Sequence, residues 1–301
     1  MRPFAQPSRE DKLPIREMQP PYSTRWKGGI HWGPMNKSTN AEDVAKPRKR
    51  AHADPLQNRS LERGIEILRA FRPGSDLLGN GELADRTGLS RATVSRLTQT
   101  LVGTGILEHD RRARAYRLGV PVLCFAHAMR NCYPILQVAS PLIRAVAEKL
   151  QVNVGLATAD RDEMVYLESV RYNRRVSLRS VVAGQRVPIE LTSLGRAYLS
   201  AVTEAVRAQI LAPIRERKNT CWERLDCEIR QSIESVHTHG FCAVSWQPEV
   251  VALSAPILIE SHPIYVVNIS LTSAANIDSV ATELAPALLE LRDRIVKGME
   301  V

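Results

Sequence analysis

The chain has 301 residues, of which 44% are hydrophobic and 24% charged. That is enough length for about two domains and enough apolar material for real cores. The formal net charge of +9 is carried entirely by the first part: residues 1–133 hold 23 Lys+Arg against 13 Asp+Glu, and residues 134–301 hold 18 against 19. A basic half joined to a neutral half points to a polyanion-binding module on a different kind of domain, and aromatics at 5% argue against a base-stacking surface for single strands.

No apolar run approaches the length of a membrane helix; the best, "VVALSAPILI" at 250–259, is a core strand in size. The start, "MRPFAQPSREDKL", has no apolar stretch of the secretory kind. Five scattered cysteines (Cys124, Cys132, Cys221, Cys227 and Cys242) suit reduced thiols, so a cytoplasmic location is expected.

Residues 1–55 show no sustained period, are rich in Pro, Lys and Arg, and read as a disordered basic arm. Met35 within it is a second candidate start. Lysines and arginines at 46–50 either touch phosphates or keep the arm solvated.

Residues 56–118 read as a winged helix-turn-helix. "NRSLERGIEILRAF" (58–71) places Leu61, Ile65 and Leu68 on one helical face, with Ser60 as N-cap. A Pro-Gly loop, a short helix "GELADRTG" and a tight turn lead to "GLSRATVSRLTQTL" (88–101), and "GILEHDRRARAYRLG" (105–119) gives two short strands around a charged turn.

In the 88–101 helix Ser90 is the N-cap, and Val94, Leu97 and Leu101 lie within about 60° of one another and pack inward. Ser95, Arg96 and Gln99 then face outward, with Arg91 and Thr93 near the start. A cation at a helix N-terminus opposes the macrodipole at a cost of roughly 0.3–1 kcal/mol, so Arg91 is misplaced unless an anion such as phosphate lies nearby. The outward set suits base edges: Arg for guanine, Gln for adenine, Ser for either. Arg111, Arg112 and Arg114 crowd the wing, where phosphates would relieve their repulsion. Ser90, Arg91, Thr93, Ser95, Arg96, Gln99, Arg111, Arg112 and Arg114 are therefore the candidate DNA-binding residues.

Residues 119–133 read as a mostly apolar linker helix starting after Pro121, either a dimer contact or buried within the chain. From 134 to 301 the pattern is α+β with an antiparallel sheet. It runs as a helix at 135–150, a hairpin at 152–170 across Asp-Arg-Asp, a strand "RRVSLRSVV" (174–182) and "GQRVPIELTSLGRAYLSA" entering a helix. Helices near 203–215 and 223–239, three strands and a last helix near 277–297 follow.

With these residues placed, the chain resembles the IclR family of bacterial transcriptional regulators over about 58–298. The resemblance rests on "SLERGIEILRAF", "ELADRTGLSRATVSRLTQTL", "YRLG", "VYLESV", "GQRVPIELTSLGRAYL" and "VVALSAPI" in that order. It implies a winged-helix reader, a linker helix and a GAF-like C-terminal effector domain, forming dimers, often paired into tetramers, on palindromic promoters. It also implies a small carboxylate effector, aromatic or short aliphatic. By position, Ser193 and Leu194 would offer backbone amides to the carboxylate, with Arg179 as a further partner. Asn268, Ser270 and Thr272 would close the pocket, and Ser245 and Ala252 stand where some members carry an acid and a cysteine. Those two departures, and a shortened loop in "VSWQPEVV", mean that a ligand of such members does not transfer to this chain.

Two other functional classes fit the sequence less well. An enzyme would need a nucleophile elbow, phosphate loop or metal-helix motif, and the chain carries none, so neither catalysis nor a cofactor is expected. Cys221, Cys227, His237 and His239 could be drawn as a zinc site, but C-x5-C and H-x-H match no common structural spacing. A ligand-free architectural DNA binder would leave the large neutral half without a role.

Overall fold

The computed structural model describes residues 58–75, 77–172, 182–247, 249–273 and 276–300. The basic arm, Arg179 and nearly all of "RRVSLRSVV" lie outside them.

The first three helices are α1 (Arg59–Arg69), α2 (Asn80–Thr87) and α3 (Arg91–Gly103), followed by the antiparallel pair β1 (Leu107–Asp110) and β2 (Ala115–Leu118). Asn58, not Ser60, caps α1: its Oδ1 accepts the amides of Ser60 and Leu61 at 3.1 Å. The buried face of α1 also differs from the sequence expectation. Ile67 and Gly64 are inside, with Leu68 and Phe71 packed on the core, whereas Leu61 and Ile65 are 64% and 44% exposed. Apolar residues at 61, 65, 67, 68 and 71 fit two helical phases, and the one that puts Ile67 against Leu83 and Val94 is chosen by tertiary packing. Gly88, at φ +70°, turns the chain between α2 and α3, a conformation that costs glycine nothing.

α4 (Pro121–Asn131), with proline in its first turn, and α5 (Pro134–Leu150) lead to a six-stranded antiparallel sheet ordered β5-β4-β3-β8-β7-β6. Its strands are β3 (Asn153–Asp160), β4 (Glu163–Val170), β5 (Arg186–Pro188), β6 (Cys242–Gln247), β7 (Val250–Ile257) and β8 (Tyr265–Thr272). α6 (Ser193–Ala201), α7 (Glu204–Arg217) and α8 (Trp222–His239) intervene after β5, and α9 (Ile277–Met299) ends the fold.

Strand alternation splits the sheet's side chains between two cores. Val154, Leu156, Leu253, Ala255, Val267 and Ile269 join α5 and α9 on one face. Ala157, Met164, Tyr166 and Val266 join α6 and α8 on the other. A bulge opposite Leu156/Ala157 adds Leu167 to β4, so that Leu167 and the next residue, Glu168, both serve the α5 side while Tyr166 serves the α6 side. No helix among the described residues is long and apolar enough to cross a membrane.

Candidate functional site

Two surfaces carry polar chemistry that folding alone does not require. On α3, Ser90 Oγ accepts the Thr93 amide at 3.3 Å and pairs with the Thr93 hydroxyl at 2.9 Å, so both hydroxyls fix the start of the helix. Val94 is buried, Leu97 and Leu101 pack on the same core, and Thr98 is buried too, its hydroxyl donating to the Val94 and Ser95 carbonyls. Arg91, Arg96 and Gln99 are exposed; Thr93 and Ser95 are half-buried.

At the wing, Asp110 Oδ1 accepts the amides of Arg112 and Ala113 at 2.9 Å, and these bonds hold its carboxyl below the usual carboxylate range. Arg114 completes the turn at φ +51°, leaving Arg111, Arg112 and Arg114 exposed. The arginines of this module fall into two classes. Arg117 pairs with Glu108, Arg69 with Asp160 and Arg72 with Glu163. Among the described residues, Arg91, Arg96, Arg111, Arg112 and Arg114 make no ion pair, nor do the exposed Arg59 and Arg63 of α1, while Arg86 donates to the Ala70 carbonyl.

The second surface lies under α6, which crosses β7, β8 and β3. Asn153, Ser254, Asn268 and Ser270 are at most 5% exposed and occupy neighbouring register positions: Asn153 opposite Ser270, Ser254 opposite Asn268, Ala252 opposite Ser270. α6 begins at Thr192, whose Oγ accepts the Gly195 amide at 3.2 Å and donates to the Pro188 carbonyl at 2.8 Å. Ser193 and Leu194 thus open a helix over the polar strip, with their amides at its positive end. Ser193 Oγ accepts from Ser254 Oγ at 2.8 Å, which ties the helix start to the sheet.

Asn268 Oδ1 is buried without a hydrogen-bond partner. Leaving such an acceptor unpaired costs about 1–3 kcal/mol. A Cβ at Gly155 would stand 2.7 Å from that oxygen and 2.6 Å from the Tyr166 ring, so only glycine lets β3 pass them. The Tyr166 phenol bonds to the side chains of Asn268 and Arg171; burial pushes the phenol up and draws the Arg171 guanidinium down from its ordinary range.

Sequence reasoning therefore reaches Ser193, Leu194, Ala252, Asn268 and Ser270, which the structure brings to one face. Thr272 continues it, half-buried, opposite Val250. Ser245 does not join: it is exposed and its hydroxyl turns to the Gln247 carbonyl at 3.3 Å, beside a break in the β6–β7 register that carries it off the buried strip. Arg179 lies outside the described residues. Tyr166, Arg171, Asn153, Gly155 and Ser254 were missed, although small or polar residues at 252 and 254 alternating with Val251 and Leu253 mark Ser254 as a face apart. Of the residues drawn as a zinc site, His237 bonds the Ser200 carbonyl at 3.2 Å, and among the described residues no cluster of three metal-binding side chains forms.

Known proteins match both modules. Residues 60–111 match the IclR helix-turn-helix domain and residues 127–296 the bacterial transcriptional regulator IclR C-terminal domain. The HTH-type transcriptional regulator TsaQ1/TsaQ2 of Comamonas testosteroni is 36% identical over 182 residues, 59% of this chain and 63% of that protein. The Pca regulon regulatory protein of Pseudomonas putida is 28% identical over 83% of this chain and 84% of its own length. The crystal structure of an IclR family transcriptional regulator from Brucella abortus superposes with a TM-score of 0.74 at 32% identity, covering 83% of this chain and 95% of that one. An IclR homolog from Microbacterium hydrocarbonoxydans, solved in complex with 4-hydroxybenzoate, shares the fold with a TM-score of 0.60 at 20% identity, covering 80% and 99%. A basic helix-turn-helix followed by a sheet domain with its own buried polar face, matched over both parts, places the chain in the IclR family of bacterial transcriptional regulators.

Proposed function

We propose that the chain is a ligand-responsive regulator, not an enzyme, that binds palindromic promoter DNA as a homodimer, with tetramers as a further step. Five exposed arginines on α3 and the wing without acid partners carry this reading, beside arginines of the same module that are paired. Arg96, Gln99 and Ser95 read base edges; Ser90, Arg91, Thr93 and the wing arginines Arg111, Arg112 and Arg114 set the helix on phosphates. The dimer is supported by α4 and its approach, where Val120, Leu123 and Phe125 are at least 61% exposed, too apolar a set to leave in water.

The effector we assign is a small organic carboxylate, preferably aromatic. It lies between α6 and the polar strip, its carboxylate served by the amides at Ser193 and Leu194 or by Arg171, its other polar group by Asn268. The unpaired Asn268 oxygen supports a ligand with a hydroxyl to donate. Ser270, Ala252 and Thr272 shape the wall.

The test is selection of bound duplexes from fragmented genomic DNA, followed by titration of 4-hydroxybenzoate, benzoate and short aliphatic acids against the recovered site. An inverted repeat and an acid that shifts its affinity are expected. A site without two-fold symmetry overturns the dimer reading, and no response to any acid overturns the sensor reading.

A further inference from the structure

The tip of the β3–β4 hairpin is more heavily charged than a turn requires. Asp160 ends β3 and Glu163 begins β4, opposite one another in register, and Arg186 of β5 lies beside them. Arg186 bridges both, at 2.6 Å to Asp160 and 2.7 Å to Glu163, which preorganises the two carboxylates side by side.

Their outer faces are taken by the winged-helix module, 91 residues earlier in the chain. Arg69 of α1 binds Asp160 through both terminal nitrogens at 2.9–3.1 Å. Arg72, just past α1, forks onto Glu163 at 2.7 and 3.0 Å. Glu66, one turn before Arg69, receives Arg161 from the apex of the hairpin. Seven alternating charges thus interlock the two modules. Single exposed ion pairs contribute little, but forked arginines in a network fix geometry as well as adding energy.

The apex is anchored on its other side. Asp162, 8% exposed, accepts Arg217 of α7 at 2.6 Å, and the next residue, Lys218, reaches the buried Glu190 at 4.0 Å, three residues before Ser193. Along β3, Gly155 lies five residues from Asp160, roughly 17 Å at strand rise. The joint and the buried polar strip therefore share two strands and one buttress.

We propose that this ionic joint between α1 and the β3–β4 tip is the latch that sets the orientation of the winged helix on its own sheet domain. A displacement of β3 or β4 moves the tip, and the tip carries α1. In a dimer, that orientation sets the separation of the two α3 helices. The latch itself depends on neither the ligand nor DNA, so it is testable with both absent.

The experiment uses the full-length protein, with small-angle scattering for the radius of gyration and hydrogen exchange at the amides of 160–163. Arg69→Glu with Arg72→Glu is expected to enlarge the particle and speed exchange at the tip several-fold, with an unchanged helical circular dichroism spectrum. Arg63→Glu makes the same kind of charge change elsewhere on α1 and should match wild type. Arg69→Glu combined with Asp160→Arg should recover part of the compactness. Wild type should expand between about 0.1 and 1 M NaCl, as screening shortens the range of the charges, while the double variant stays put. If the double variant is as compact and as protected as wild type, or if Arg63→Glu loosens the particle equally, the latch does not exist. A double variant that fails to fold leaves the wild-type salt series to decide: no expansion overturns the proposal.

Discussion

The two modules differ in where their unsatisfied groups gather. In the winged helix they are mainly cations on one outer surface: Arg91, Arg96, Arg111, Arg112 and Arg114 have no acid beside them among the described residues, and one acceptor, Asn80 Oδ1 at the start of α2, is buried without a partner. In the sheet domain most arginines lie on a carboxylate, Arg130, Arg186, Arg196, Arg207 and Arg217 among them, with Arg144 and Arg215 exposed and unpaired on separate helices, and the buried orphan is the Asn268 oxygen among the described residues. An unpaired cation in water costs little and waits for a large external polyanion; an unpaired acceptor in a core costs stability and waits for something small enough to enter. The difference separates stability from two kinds of binding, and mutations should separate them likewise.

The largest effect belongs to the dry face of the sheet, where neither ligand is involved. Leu253 of β7 is fully buried in the core that the sheet shares with α5 and α9. Leu253→Ala should lower the unfolding free energy by about 2–5 kcal/mol in urea titration, while per-molecule DNA affinity stays the same below the transition. A loss of specific DNA affinity in the still-folded protein would break the separation.

Next comes α3. Arg96→Ala should weaken operator binding by roughly 1–3 kcal/mol with random-sequence affinity nearly unchanged, whereas Arg112→Ala should weaken all duplexes alike and flatten the salt dependence. Equal losses of Arg96→Ala on operator and random DNA would make it a phosphate contact. Neither change should move the melting temperature, because neither side chain is packed or paired.

Asn268→Leu should show little of the usual cost. Removing the orphan oxygen relieves about 1–3 kcal/mol, but the lost bond to the Tyr166 phenol costs about as much, so the ligand-free protein should keep nearly wild-type stability while the melting shift by whichever acid the titration selects is abolished. Destabilisation with the ligand shift intact would mean that the site serves packing alone.

These contrasts were unevenly legible in the sequence. The α3 surface could be read because a cap, a helical period and exposed arginines are local features. Asn268 and Ser270 could be read because alternation with Val267 and Ile269 is local too. Tyr166 could not, because the bulge that resets the alternation of β4 leaves no local mark, and Arg171 could not, because it lies past the end of β4 and meets Tyr166 only in the fold. α1 was mis-phased at Leu61 and Ile65 because two apolar phases competed and a contact with other helices chose between them. The joint between Arg69 and Asp160 joins residues 91 positions apart, and nothing in either neighbourhood announces the other.

The smallest effect tests the seam between the modules. Two of its carboxylates are held below their ordinary range: Asp160, bonded to Arg186 and Arg69, and Glu168, which binds Arg130 of α4 at 2.7 Å and Ser140 of α5 at 3.1 Å. Burial pushes both carboxyls up, but the arginine and hydrogen-bond partners outweigh it and hold them below their ordinary range. A depressed carboxyl contributes stability that is complete above its unfolded pKa, near 4, and is lost as pH falls through the folded value. Glu190 has the opposite sign: burial raises it, so it favours the folded state in acid and gives that up as pH rises through its folded value. Between about pH 5 and 3 the wild type should therefore lose stability at the seam, partly offset by Glu190. Asp160→Asn should flatten the acid limb by less than about 1 kcal/mol, since Asp160 is 31% exposed and screened by water. Urea midpoints at pH 7, 5 and 4 measure it: an unchanged slope in the variant would remove Asp160 from the seam, and a steeper one would mean that its carboxylate opposes folding there.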